Sequence, residues 1–256
     1  MISPLAFVHK DARLGANVTV APFAYIDEDV VIGDNCIIDS NAVICSHTRM
    51  GNNNHVFPQA TIGAVPQDLK FAGELTYTII GDDNTLRECC TIHRGTASKG
   101  KTVIGNHNLI MAYSHVAHDC VIADNCILSN ATQLAGEVVI DDYAILGGGT
   151  LVHQFTTIGA HVMIEGGSRL MKDIPPYILA GREPLTYCGI NRVGLERRGF
   201  TAEQMATIKE VYRYIYRAQL NVSQALAAIE ANMPASPERD NIVHFVKGST
   251  RGIVKG

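Results

Sequence analysis

The 256-residue sequence contains no apolar run approaching the roughly 18 residues that cross a bilayer, so a membrane-spanning helix is excluded. Its first residues, MISPLAFVHKDARLG, lack the basic stretch, apolar core and small-residue cleavage site of a secretory signal, and a cytoplasmic protein is expected. The seven cysteines form no C-x-x-C motif and are too sparse for a disulfide scaffold; buried, reduced thiols are expected. Charge is also modest, at 18% of residues and a net −4, and nothing points to nucleic acid. It is unevenly spread: residues 182–256 carry 11 Lys and Arg against 7 Asp and Glu. Such a tail is either a solvated face or a surface for an acidic partner or phosphorylated ligand.

What is present is a period. Aliphatic residues recur every six positions at Val8, Leu14, Val20, Ile26, Ile32, Ile38, Ile44, Met50, Val56 and Ile62. The register resumes at Ile80, Leu86 and Ile92, then runs unbroken from Ile104 to Leu170. Neither an α-helix nor an alternating strand has period six. One inward aliphatic per hexad, with small residues such as Ala24, Cys36, Ala42, Cys90 and Cys120 two places before it, suits short strands joined by tight corners. Three faces close a coil of 18 residues, and stacking at about 4.8 Å gives a mainly β fold, a parallel β-helix.

Most of the repeated aliphatics only fill that core, so function is sought where the pattern breaks. The first break, residues 63–79 (GAVPQDLKFAGELTYTI), reads as an external loop replacing a whole coil's worth of hexads. The second, residues 93–103, is a shorter basic excursion. Regular repeats stop near Pro175-Pro176. The division expected is a β-helix over 1–180 and a small C-terminal helical domain over 181–256. There Thr201-Ala-Glu-Gln204 is a capping box, VSQALAAIEAN a second helix, and FVKGST further helix or turn.

The stretch HVAHD holds the residues closest to chemistry. His115 and His118 fall in different hexads, so they need not share one atom. His118 and Gly136, 18 residues apart with no break between, stack on adjacent coils, where a glycine permits close approach. Asp119 either orients the His118 ring or caps a corner, since alternation along a straight strand would point neighbours apart. His153, with Gln154, lies two coils beyond Ala117, on the same edge.

The segments QDLKFAGE, TIHRGT, HVAHDC, LVHQF, IGAHVM and RRGF together resemble the UDP-N-acetylglucosamine O-acyltransferases that open lipid A synthesis for lipopolysaccharide, over essentially the whole chain. That resemblance implies a left-handed β-helix, a homotrimer with intersubunit active sites, and transfer of a 3-hydroxyacyl chain from acyl carrier protein to the glucosamine 3-hydroxyl of UDP-N-acetylglucosamine. It implies His118 as general base, Gly136 as backbone oxyanion donor and no metal or other cofactor. His115, three residues before the base, is expected to face the cleft as a substrate contact; by the same likeness Asp68 and Lys70 meet the sugar nucleotide and reacting region, and Asn191, Arg197 and Arg198 bind the nucleotide end. Guanidinium forks suit a diphosphate, although Arg198 or its neighbours could instead dock the acidic carrier protein. Gly166 falls where the family limits acyl-chain length.

Two departures stand out. Glu137 occupies the place after the oxyanion glycine where many relatives carry His, and Asn191-Arg192-Val193-Gly194 replaces N-x-E-G, removing a carboxylate. Rival readings are an N-acyltransferase or acetyl-CoA-dependent enzyme of the same repeat class, a non-catalytic scaffold, and a zinc carbonic anhydrase using His115, His118 and His153. The N-acyltransferase usually adds an N-terminal domain, whereas repeats here begin at Val8.

Overall fold

Outside the two breaks, every sixth residue from Val20 to Leu170 is an aliphatic almost wholly shielded from water, and these side chains stack into one continuous core. Val8 and Leu14, in the open first coil, are only partly covered. A computed structural model describing residues 1–256 shows the cause. Short strands, most of two residues, alternate with corners and build three faces of nine, eight and ten strands, which we term first, second and third in chain order and which are parallel except for the last strand of the third. Tyr25 lies over Phe7, Val31 over Arg13 and Ile37 over Thr19, the 18-residue return that period six requires. The coil is a left-handed parallel β-helix.

Each corner turns through a residue with positive φ three places after the inward aliphatic. These residues include Asn17, Asp29, Asn35, Asn41, His47 and Asn53 and, further along, Asp119, Asn125 and Glu137, distributed over the three corners. Asn and Asp predominate because their short polar side chains tolerate the left-handed region. The small residues before each aliphatic, including Ala42, Cys36, Cys90 and Cys120, are fully buried. All seven cysteines are free, and burial pushes the Cys90, Cys120 and Cys126 thiols up to about 12, leaving them inert.

Both breaks leave the helix at the same edge, between the first and second faces. Strand Thr61–Ala64 precedes the first and Tyr77–Ile80 follows it; Thr91–His93 and Lys101–Ile104 bracket the second. The excursions are therefore shorter than expected, because their outer residues extend the flanking strands, with Tyr77 paired to Lys101 and Thr78 to Thr102. The first also replaces one corner and not a coil: Thr61 pairs with Thr91, thirty residues on, where a plain coil returns after eighteen.

The repeats do not end cleanly at Pro175. Ile174 bridges to Ile158, Met163 pairs in parallel with Leu179, and Ile178–Gly181 then turns into an antiparallel hairpin with Thr186–Ile190. Four helices follow: α1 (Arg192–Arg197), α2 (Ala202–Arg217), α3 (Val222–Asn232) and α4 (Pro237–Gly248). Thr201 and Gln204 form the capping box that starts α2, and FVKG is the last turn of α4. The fully buried Tyr212 of α2 donates its O–H to the Pro176 carbonyl (2.5 Å), tying the helices to the last coil. No helix is long and apolar enough to cross a membrane.

Candidate active site

His118 and Asp119 occupy the corner between the first and second faces, one coil above the second excursion. Positive φ at Asp119 turns its side chain back along the chain, so that Oδ2 lies 2.8 Å from His118 Nδ1 despite adjacency in sequence. The carboxylate is wholly buried and the imidazole 18% exposed. Both Asp119 oxygens are satisfied: Oδ1 accepts the Thr96 N–H (2.9 Å) and Oδ2 the Thr96 O–H (2.6 Å). With both oxygens engaged, this buried carboxylate is held in place and fixes the ring it faces.

Gly136 lies on the next coil against the far edge of that ring. A Cβ there would sit 2.6 Å from His118 Nε2 and 2.5 Å from Cε1, so only glycine fits against the imidazole. Gly136 is buried, yet its N–H donates to no group of the chain. Buried unpaired N–H groups are rare. The equivalent N–H groups between the second and third faces, those of Ala16, Asp34 and Asn52, are each capped by an Asp or Asn oxygen one coil up.

His118 stands where two clefts meet. One, of about 550 Å³, runs along the first face beside His93, His115, Leu134, Leu151, Val152, His153, Leu170 and Met171. The other, of about 690 Å³, is polar and lies under the first excursion between Asp68, Lys70, Glu74, Glu137 and Gln154. Thus His115 and His153 are brought to the apolar cleft, Asp68, Lys70 and Gln154 to the polar one, and His118 to both. His153 Nδ1 lies 3.0 Å from the Gln154 carbonyl, which anchors its ring.

His93 meets His115 edge-on with ring centroids 4.8 Å apart, and His115 Nδ1 is 2.7 Å from Thr91 Oγ1. Burial, then the neighbouring imidazoles, pushes His93 down to about 4; burial and His118 also lower His115. Of the three rings only His118 has a carboxylate partner. No group of three or more His, Cys, Asp or Glu side chains is placed to hold a metal ion, which separates His115, His118 and His153 from a zinc triad.

Four expected residues line neither cleft within one chain. Asn191 caps α1, accepting the Gly194 N–H (3.2 Å) and donating to the His161 carbonyl (2.9 Å). Arg198, its charge disfavoured by burial, packs over the Tyr143 ring at 5.1 Å, while Arg197 projects into solvent. Gly166 is exposed at the corner between the third and first faces, packed on the Gly148 backbone.

Sequence reasoning passed over His93, Gln67, Glu74 and Thr96 as site residues. His93 and Thr96 lie in TIHRGT, immediately at the second break, and position beside a break was the available signal. Gln67 and Glu74 lie inside an excursion without repeat register, whose fold the period does not specify.

The chain is similar to known proteins along its whole length. Residues 101–136 match the bacterial transferase hexapeptide family (six repeats), and residues 173–254 match the second domain of the UDP-N-acetylglucosamine O-acyltransferase family. The chain is 49% identical over 259 residues to the acyl-[acyl-carrier-protein]–UDP-N-acetylglucosamine O-acyltransferase of Verminephrobacter eiseniae, covering 99% of each. The crystal structure of a UDP-N-acetylglucosamine acyltransferase from Bacteroides fragilis superposes with a TM-score of 0.98 at 55% identity, covering all of both chains. An Arabidopsis UDP-N-acetylglucosamine acyltransferase, 32% identical over the full length of both, superposes with a TM-score of 0.90.

Proposed function

This chain belongs to the acyl-[acyl-carrier-protein]–UDP-N-acetylglucosamine O-acyltransferase family, and from that premise we propose how its residues perform the transfer. The enzyme moves an acyl chain from acyl carrier protein to UDP-N-acetylglucosamine. The observation that carries the assignment of roles is the place of His118, at the junction of an apolar cleft suited to an acyl chain and a polar cleft suited to a sugar nucleotide.

The acceptor is the glucosamine 3-hydroxyl and the donor a 3-hydroxyacyl thioester. His118 Nε2 takes the hydroxyl proton as the sugar oxygen attacks the thioester carbonyl. The resulting tetrahedral oxyanion accepts the unpaired Gly136 N–H. Collapse breaks the carbon–sulfur bond, and the imidazolium returns its proton to the departing thiolate. Positioned acid–base catalysis of this kind contributes about 10² to 10⁴ in rate, and one oxyanion donor about 10² to 10³. Asp119 holds the ring with Nδ1 protonated and stabilises the imidazolium.

Asp68, Lys70 and Gln154 contact the sugar nucleotide, and His115 and His153 line the acyl side. Asn191, Arg197 and Arg198, remote from both clefts in one chain, serve a neighbouring subunit's nucleotide end in a homotrimer. Gly166 limits acyl-chain length across that interface. No metal or other cofactor takes part, the acyl group arriving on the carrier protein's phosphopantetheine. Seven free cysteines suit a cytoplasmic setting.

The test is an acyl-chain series on acyl carrier protein with UDP-N-acetylglucosamine, read by product mass. One 3-hydroxyacyl length is expected to dominate, and failure to transfer any of them would refute the reading. Light scattering should give three times the 27.7 kDa chain mass.

A further inference from the structure

The second excursion does more than border the polar cleft. Thr96, at its crest, spends both polar hydrogens on Asp119, its N–H on Oδ1 and its O–H on Oδ2. The Thr96 hydroxyl in turn accepts the Ser98 N–H (3.2 Å), so its own hydrogen is aimed at the carboxylate. From the far end of the excursion Thr102 Oγ1 accepts the Asp119 N–H (2.8 Å). The excursion thus grips Asp119 from both ends and closes it off from water.

The grip is itself latched. Glu74 of the first excursion accepts the N–H groups of Ala97 (2.9 Å) and Ala72 (2.8 Å), joining the two excursions. Glu137, one coil above Asp119 on the same corner column, accepts the Ser98 O–H (3.0 Å) and lies 3.6 Å from Lys99 Nζ. An imidazole at position 137 would supply no negative charge for Lys99, so Glu137 gives this chain a second fastening for the excursion.

We propose that Thr96 is a positioning residue of the transfer reaction, holding Asp119 so that His118 carries its proton on Nδ1 and turns a bare Nε2 to Gly136. This rests on the reading of His118 as base. With its N–H and O–H both given to Asp119, Thr96 acts by fixing the acceptor that fixes the ring. A hydrogen bond to a charged group, once removed, costs on the order of tenfold in an equilibrium or a rate.

The variants Thr96→Val, which deletes the hydroxyl at nearly constant volume, and Thr96→Ser, which keeps it, separate this role from packing. Thr96→Val should lower kcat about tenfold with KM for both substrates within about twofold. It should also move the acid limb of the kcat/KM profile to higher pH, because a carboxylate with one donor fewer holds an imidazolium more strongly. Thr96→Ser should restore both. A merely structural threonine would change the melting temperature and leave the limb in place.

Wild-type kcat and pH profile in Thr96→Val, or a Thr96→Ser variant as impaired as Thr96→Val, would overturn the proposal. A second test needs no variant: nitrogen NMR of the wild-type His118 ring should show Nδ1–H, and an Nε2–H ring in the free enzyme would contradict it. Full activity in His118→Ala would remove the base itself. An inactive His118→Ala beside an unaffected Thr96→Val would remove only the part given to Thr96.

Discussion

Two edges of the same coil are built from one repeat and put to opposite uses. Between the second and third faces, Asp34, Asn52, Asp82, Asn106 and Asp124 form a ladder, each side-chain oxygen capping a backbone N–H one coil below. Each rung closes a backbone N–H of the coil below with a side-chain oxygen. Between the first and second faces the corresponding N–H of Gly136 is uncapped, the coil below presents His118 and two excursions fold over the edge. The fold has a means of closing a corner and does not use it here. In the proposed mechanism, reactivity on this scaffold comes from a corner left unfinished and then enclosed.

Enclosure matters as much as pairing. Lower on the reactive edge, His47 Nδ1 lies 2.7 Å from Asp29 Oδ2, as close as His118 lies to Asp119. That pair, at 27% and 45% exposure, is open to water, and Asp29 divides its charge with Arg49. No excursion covers it. A histidine beside a carboxylate becomes a base of defined tautomer only when the rest of its surroundings are fixed as well.

The sharpest way to break the contrast is Asp119→Asn, which keeps the shape and removes the charge; kcat should fall by about 10² to 10⁴ in steady-state transfer. Gly136→Ala comes next, with a loss of about 10² to 10³ in kcat, because the new methyl group displaces the ring from the oxyanion donor. Retained activity would show that the N–H against His118 is idle.

Acid sensitivity should separate His161 from the coil around it. Burial and the Arg198 charge push His161 down to about 4, against an unfolded value near 6.5. The unfolded chain therefore binds the extra proton between those values, and stability should fall as pH drops from 6.5 towards 4. His161→Phe preserves stacking between Tyr143 and Tyr177 and should flatten that fall in urea titrations at several pH values. The smallest effect is expected on the closed edge. Asn106→Ala uncaps the Asp82 N–H and should lower unfolding free energy by about 1 kcal/mol with transfer unchanged.

The architecture was legible because period six is a strong constraint: inward aliphatics such as Ile38, Leu86 and Leu128 can be buried together only if the chain turns at each hexad. The same arithmetic put His118 against Gly136 and Ala117 in line with His153, and the registers of Val116, Leu134 and Val152 agree. Legibility failed where the period failed. Residues 65–76 and 94–100 fold through contacts specific to this chain, so the grip of Thr96 on Asp119 and the fastening of Ser98 to Glu137 have no sequence period to announce them. The closing hairpin was missed for a related reason: Ile178–Gly181 continues the parallel face without the six-residue spacing.

The central claim is tested most directly by His118→Ala, assayed for transfer from 3-hydroxyacyl carrier protein to UDP-N-acetylglucosamine beside His47→Ala as the exposed-pair control. His118→Ala should lose about 10² to 10⁴ in kcat while His47→Ala stays within about twofold of wild type. Wild-type turnover in His118→Ala, or equal losses in the two variants, would contradict it.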